Sequence, residues 1–323
     1  MKKCTETDKP QISILMAIYE PRMDWLREQL LSLNAQTYPN LRLYIRDDCS
    51  PTVSFEEIQS CVQDCISAFS YEIARNEKNL GSNGTFERLT REAEGEYFAY
   101  CDQDDVWLPE KLEVLQKELS STDALLICSD VILIDAAGKT FADSITELRP
   151  RHVFHEGKGL APLLIYRNFV IGCTMLIYRE AAIGALPFSA CMVHDHYLAF
   201  YCAVHGAIAV CSQHLVRYRI HKANQTNVLA KITDKESYIR LHMDPFCNRV
   251  QELSRRFSVP ELQEAAKWAG ARKDNVTRTK GCIRKLWRLR KINFTTTCFE
   301  LIALRMPAPI FCILLKMIQH GKI

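Results

Sequence analysis

The chain has 323 residues, 48% hydrophobic and 24% charged, with 12 Gly and 12 Pro. That is material for one large domain or two modest ones, and it excludes a disordered, collagen-like or mucin-like protein. The 14 Cys run from Cys4 to Cys312 without a C-x-x-C, so zinc knuckles and thioredoxin chemistry are unsupported, and scattered free thiols fit a reducing cytosol.

The net charge of +3 conceals a split: residues 275–323 hold ten Lys/Arg against Glu300 alone, a net +9 on a body of net −6. Met1–Asp8 has no apolar stretch, which predicts no signal peptide, and no run reaches the roughly 18 apolar residues of a membrane span. The expectation is a cytoplasmic protein, soluble or peripheral on the inner face of the membrane.

Taken in chain order, 11–18 is an apolar run that reads as a buried strand. Trp25, Leu26, Leu30 and Leu33 recur at helical spacing until Pro39. Leu41–Ile45 alternates and empties into Asp47-Asp48-Cys49-Ser50-Pro51, a strand ending in a turn. A helix through Ile58, Val62 and Ile66, a strand at Tyr71–Ala74, a loop from Asn79 to Gly84 and a helix through Phe86 and Leu89 follow. Tyr97–Cys101 then runs as a strand into Asp102-Gln103-Asp104-Asp105. Four β-α units imply a mostly parallel sheet flanked by helices, with ligands at the carboxyl ends of its strands. Those ends carry Tyr19-Glu20, Asp47-Asp48, Arg75-Asn76 and the acidic string. Further on, the pattern predicts a strand over Leu125–Leu133, an irregular stretch from Asp135 to about Leu160, and a strand over Val170–Tyr178. A helix over His194–Val204 and a strand over Ala207–Cys211 follow, with helices only beyond residue 235.

Phosphate-loop chemistry finds no support. Gly138-Lys139-Thr140 lacks the upstream Gly of a Walker A loop and reads as a turn, and no G-x-G-x-x-G occurs. The acidic string is the sharpest feature. Three carboxylates at a strand's mouth repel one another unless a cation or donors compensate, and Mg²⁺ or Mn²⁺ with substrate phosphates would do so; alternatively, Asp105 caps a helix begun near Pro109. Asp47-Asp48 is ordinary turn chemistry or, with Tyr19, a nucleoside pocket. His194-Asp195-His196 is an Asp cap between two surface His, or a positioned general base. His221 is a metal ligand, a phosphate contact or a loop His. Over Lys280–Ile292, helical spacing puts Ile283, Leu286, Trp287 and Arg290 on one face. That face suits anionic headgroups or simple packing, and no nucleic-acid module accompanies it.

The order Tyr19-Glu20, Asp47-Asp48-Cys49-Ser50, Asn79-Leu80-Gly81, Asp102-Gln103-Asp104-Asp105-Val106-Trp107 and His194-Asp195 resembles the family 2 inverting glycosyltransferases of GT-A fold. Within them it is similar to rhamnosyltransferase-like members of bacterial surface polysaccharide synthesis. The resemblance covers residues 11 to about 228. It implies an α/β, GT-A domain over 1–230 (donor half about 11–120, acceptor half about 121–230) and a helical, basic extension over 231–323. It further implies a metal-dependent transfer of a sugar, with rhamnose the leading guess, from a nucleotide-diphospho-sugar to a saccharide or lipid-linked acceptor. Asp104 would hold Mg²⁺ or Mn²⁺ with Asp102 and His221, and Asp102 would also meet the donor's sugar or ribose. Asp47, Tyr19 and the Ala17 backbone would form the base pocket, with Glu20, Asn79, Gly81 and Arg219 completing the nucleotide-sugar site. Asp195 would be the catalytic base. Two departures stand out, Cys49 at a position commonly Gly and His194 where Glu is common. A sugar-nucleotide nucleotidyltransferase and a non-catalytic, membrane-associated nucleotide-binding protein are the alternatives.

Overall fold

The computed structural model describes residues 9–221 and 231–319, and the chain divides into two compact units between His221 and Lys222. The expected boundary at residue 230 lies outside the described residues.

The first unit opens with β1 (Ile12–Ile18), whose Ile12, Ile14 and Leu15 are fully buried because helices cover both faces of the sheet. α1 (Met23–Asn34) packs Trp25, Leu26, Leu30 and Leu33 inward, the helical spacing seen in sequence. β2 (Leu41–Asp47), α2 (Phe55–Cys65), β3 (Ser70–Arg75), α3 (Gly81–Glu92) and β4 (Tyr97–Cys101) follow in alternation. Ser54 caps α2, its hydroxyl accepting the Glu57 N–H at 3.1 Å, and Cys61 and Cys65 lie in the buried face of that helix as core residues. β3, β2, β1 and β4 pair in parallel in that order, so their carboxyl ends share one edge.

β5 (Val106–Trp107) and α4 (Lys111–Ser120) lead to β6 (Ala124–Ser129) and β7 (Ile132–Ile134). The single strand expected over 125–133 is two strands in different sheets. Asp130 breaks it: its carboxylate accepts from the Val131 and Ile145 amides and the Ser144 hydroxyl, so the chain turns there. The Gly138 segment is a turn, with the Gly138 N–H donating to Asp135 O, between β7 and β8 (Thr140–Ala142). The stretch expected to be irregular also holds α5 (Ile145–Leu148), capped by a Ser144/Glu147 box, and β9 (Gly157–Lys158). After α6 (Ala161–Leu164), the strand expected from residue 170 is confined to β10 (Leu176–Tyr178). A 3₁₀ turn at Gly172–Thr174 precedes it, closed by the Thr174 hydroxyl on Ile171 O. α7 (Arg179–Gly184), α8 (His194–His205), β11 (Ala207–Cys211) and β12 (Val216–Arg219) complete the unit.

β10 enters antiparallel between β4 and β6, giving the eight-stranded order β3-β2-β1-β4-β10-β6-β11-β9. The smaller sheet β5-β12-β7-β8 brings the end of β12 beside the acidic string.

The second unit is helical throughout its described residues: α9 (Lys235–Tyr238), a π turn at Ile239–Met243, α10 (Asp244–Arg256), α11 (Pro260–Val276), α12 (Cys282–Arg288), α13 (Phe294–Ala303) and α14 (Ala308–Gln319). The helix expected over 280–292 is shorter, so Ile283, Leu286 and Trp287 share it but Arg290 does not. α12 stops at Arg288, Cys282 and Leu286 turn inward, and Ile283 and Trp287 stay exposed with the Arg290 guanidinium over the Trp287 ring at 4.6 Å. Among the described residues no helix is long and apolar enough to cross a membrane.

Candidate active site

At the end of β2, Asp47 is fully buried. It accepts the Ser50 hydroxyl at 2.5 Å and the Ser50 N–H at 3.2 Å, and pairs with Arg75 Nε at 3.1 Å. Asp48 accepts Asn76 Nδ2 and the amides of Leu80 and Gly81, each at 2.8 Å, joining the turn after β2 to the start of α3. Asn79 Oδ1 also accepts the Gly81 N–H at 3.0 Å, and Gly81 has φ +72° with nothing near its missing Cβ. Cys49, where the resembled family commonly has Gly, has φ +62°, a left-handed conformation that explains the Gly preference.

Ala17 is half-buried near the end of β1, and Tyr19 beyond it is 46% exposed. Glu20 turns toward the loop after β2. Its carboxylate accepts from the Thr52 amide and hydroxyl and the Val53 amide, and these hydrogen bonds hold its pKa below the usual range. It braces the turn after β2.

The acidic string divides into two sides. Asp102 and Asp104 are half-buried, whereas Asp105 is fully buried. Asp102 is pushed up to about 7, first by burial and then by the charges of Asp104 and Asp195. His221 Nε2 lies 2.6 Å from Asp104 Oδ2. Asp105 does not cap a helix: α4 begins at Lys111, and Asp105 Oδ1 accepts the Arg219 N–H at 3.0 Å while Oδ2 has no hydrogen-bond partner. Burial drives its pKa well above the usual range, with Asp104 and Asp102 adding to it.

Arg219 is 1% exposed, with Nε on Asp104 O at 2.8 Å, Nη1 on the carbonyls of Asp135 and Ala136, and Nη2 on the Glu28 carboxylate. These contacts make it a strut of the acidic string.

Asp195 stands in the first turn of α8. It accepts the Gly172 N–H at 3.1 Å, Asn168 Nδ2 at 3.2 Å and the His196 N–H at 2.5 Å, yet burial raises it to about 6. His194 is not at the surface. Its ring is stacked on Phe86 at 4.1 Å, its Nε2 is buried without a hydrogen-bond partner, and burial lowers its pKa to about 3. His196 is also buried, its Nε2 2.6 Å from Leu164 O.

Residues 13–184, more than half of the chain, match the domain Glycosyl transferase family 2. The chain belongs to that family. It is 26% identical over 262 residues to an uncharacterized glycosyltransferase of Methanocaldococcus jannaschii, covering 76% of this chain and 84% of the relative. It is 32% identical over 125 residues to a putative colanic acid biosynthesis glycosyl transferase of Escherichia coli, covering 36% and 43%. Among solved structures it is similar to S. aureus TarS in complex with UDP-GlcNAc (TM-score 0.60, 13% identity, 96% and 92% covered). It is also similar to a Pyrobaculum calidifontis mannosyltransferase in complex with GDP-Man and Mn²⁺ (TM-score 0.54, 14% identity, 93% and 89% covered). The fold is GT-A, and the family makes the protein a glycosyltransferase.

Several residues of this glycosyltransferase's site escaped the sequence reading. Lys111 is fully buried below the string, its Nζ donating to Cys173 O at 2.7 Å above the Trp107 ring. Burial lowers its pKa to about 7. Ligand atoms of Asp102, Asp105 and Cys173 lie within 4.8 Å of one another. That deep side is crowded by the Lys111 amine, whose Nζ sits 2.7 Å from Cys173 O, and one of its three donors is a thiol, a softer ligand than Mg²⁺ or Mn²⁺ favours. Of the outer residues, His221 and Asp104 are in contact while Asp102 is not gathered with them as closely; their carboxylate oxygens and imidazole are a donor chemistry that fits Mn²⁺ or Mg²⁺. Lys111 falls with Leu112, Leu115 and Leu119 on the inner face of α4, a Lys inside an apolar stripe that a stricter periodicity reading would have flagged. Gly172, Asn168 and Cys173 carry no local signal.

Proposed function

We propose that this protein is a divalent-cation-dependent, inverting glycosyltransferase that moves a sugar from a nucleotide-diphospho-sugar to a saccharide or lipid-linked acceptor in surface polysaccharide synthesis. The observation that carries the reading is a placement. Asp195 accepts the Gly172 N–H at 3.1 Å, and the sulfur of the next residue, Cys173, lies within 4.8 Å of an Asp102 carboxylate oxygen, so Asp195 and the acidic string belong to one site.

Asp102, Asp104 and His221 would hold the cation, which when bound supplies Lewis-acid compensation for charge building on the departing nucleoside diphosphate. Asp47 and Tyr19, at the ends of the two central parallel strands, would frame the base, with Asn79 and Gly81 beside them. Asp195 takes the proton from an acceptor hydroxyl, whose oxygen attacks the anomeric carbon opposite the leaving group and inverts it. A pKa near 6 keeps this base ionised at neutral pH yet basic enough to help, a contribution of about 10²–10⁴-fold. Rhamnose as the sugar rests on the family resemblance, and the polysaccharide role gains support from the E. coli relative, a putative colanic acid biosynthesis glycosyl transferase.

The experiment is binding of UDP, dTDP and GDP with and without Mn²⁺ to wild type and Asp104→Ala. Cation-enhanced binding of one diphosphate, lost in the variant, is expected. No binding of any diphosphate would overturn the reading.

An anionic membrane surface is proposed as a second partner. Between residues 275 and 317 the exposed side chains include Arg278, Lys280, Arg284, Arg288, Lys291 and Lys316, while Lys285 pairs with Asp274 at 2.7 Å and the lone acid of this stretch, Glu300, is fully buried. Ile283, Trp287, Ile310 and Ile313 are at least 45% exposed among them. Basic and apolar groups without acids suit anionic headgroups. Co-sedimentation with phosphatidylglycerol vesicles, weakened by salt and absent with phosphatidylcholine, is the expected result. Equal recovery with both lipids would refute it.

A further inference from the structure

We infer that Gln103, the residue between the two rim aspartates, is a positioning residue that couples the base-side wall to the cation-side loop. The inference rests on the donor-site reading above. The parallel pairing of β1 with β4 ends at Met16 and Cys101, and there the ladder stops. Gln103 continues it with a side chain. Its Oε1 accepts the Tyr19 N–H at 2.8 Å and its Nε2 donates to the Tyr19 carbonyl at 3.0 Å. One carboxamide thus meets both backbone groups of one residue, the pair that an adjacent strand would otherwise satisfy.

The opposite side of the same segment is also tied. The Asp48 N–H donates to Ile18 O at 2.7 Å, and the Ser50 hydroxyl accepts the Glu20 N–H at 2.8 Å. Tyr19 is therefore clamped between the Asp47-Asp48 turn and the Asp102–Asp105 string, while its ring stays 46% exposed. Because Asp102 and Asp104 flank Gln103, anything that fixes Tyr19 restricts both carboxylates. The restriction also runs in reverse, since coupling between two ligands is reciprocal. Gln103 requires its length and both polar ends for this: a shorter side chain does not reach, and an apolar one of equal length makes neither bond.

The test is calorimetric titration of the full chain with UDP, dTDP and GDP, each with and without Mn²⁺, on wild type, Gln103→Met and Gln103→Ala. For the diphosphate that wild type binds, the ratio of Kd without Mn²⁺ to Kd with Mn²⁺ is expected to fall about tenfold in both variants, within the usual span of coupling between sites. The melting temperature without ligand should fall by no more than a few degrees, as for the loss of two hydrogen bonds, and equally in both variants. A purely structural role would move the melting temperature and leave the ratio alone, which overturns the inference. Wild-type enhancement that persists undiminished in both variants overturns it too, with the donor-site reading intact. Absence of any Mn²⁺ enhancement in wild type overturns the donor-site reading itself, and the coupling with it.

Discussion

His221 Nε2 and Asp104 Oδ2 lie 2.6 Å apart, joining the segment after β12 to the loop after β4 across 117 residues of chain. Arg219, two residues before His221, ties the same loop through Asp104 O at 2.8 Å.

His221→Ala should therefore weaken cation dependence without unfolding the domain. Removal of one ligand or of the partner that orients it typically costs about 10–100-fold in metal affinity. The measurement is the Mn²⁺ concentration for half-maximal diphosphate binding. Asp104→Ala should abolish that dependence. An unchanged Mn²⁺ midpoint in both variants would remove these residues from the cation site.

Asp195 predicts the pH profile. Its carboxyl, raised to about 6 by burial, must be ionised to accept a proton, so turnover should rise as pH climbs through about 6 and level off above. Asp195→Asn should lose that limb along with about 10²–10⁴-fold of turnover, with the Kd of the diphosphate kept within a few-fold. An acid limb near 6 that survives in Asp195→Asn belongs to another group.

The alternating strands and helices to Cys101 are legible in sequence because each apolar run is short, bounded by turn residues and buried on both faces. The acidic string is legible because three carboxylates crowded at one strand end repel one another, whereas Asp195 stands out from an ordinary helix cap only through the family resemblance. What is hidden is the company these residues keep. Nothing local tells that Glu20 turns onto Thr52 or that Arg219 turns inward onto Glu28 and Asp104. Residues 125–133 look continuous because apolar content alone decides the strand pattern, and the interruption at Asp130 depends on donors at residues 144–145. In the basic segment, Asn293 was a readable cap signal. Its side chain accepts the Thr296 N–H at 3.0 Å and starts α13 where one longer helix was expected to be ending.

Gly172 matters for its missing side chain. A Cβ there would lie 3.0 Å from His194 Nε2 and 3.4 Å from Asp195 Cβ, against rings and a helix end that have little room to move. Gly172→Ala should displace the base and lower turnover while diphosphate binding is retained. His194 itself stays neutral when folded, its pKa about 3 against 6.5 when free. The unfolded chain then binds a proton that the native state refuses, so this group subtracts stability as pH falls below about 6.5 and has no effect above it. Down to about pH 3 the loss approaches about 1.4 kcal/mol per pH unit. Urea midpoints of wild type and His194→Phe between pH 7 and pH 4 give the slope by difference, and parallel curves would contradict the neutral, buried His194.

The second unit turns on one buried ion pair. Arg272 and Glu300 are 1% and 0% exposed, with Arg272 Nε within 3.0 Å of both carboxylate oxygens and the Tyr238 hydroxyl donating to Glu300 at 2.9 Å. Arg272 also lies over the Trp268 ring at 4.6 Å, so it fills volume as well as carrying charge. Arg272→Met leaves a carboxylate in the core without its counter-charge, which costs about 3–5 kcal/mol. Replacing both members, as Arg272→Met with Glu300→Leu, removes the stranded charge and should restore most of that loss, since a buried pair contributes little beyond what well-packed apolar residues supply. Denaturant unfolding of the full chain, followed through Trp268 fluorescence, reads both. A double variant no more stable than Arg272→Met would mean that Glu300 is held chiefly by Tyr238 and its other neighbours rather than by the Arg272 charge.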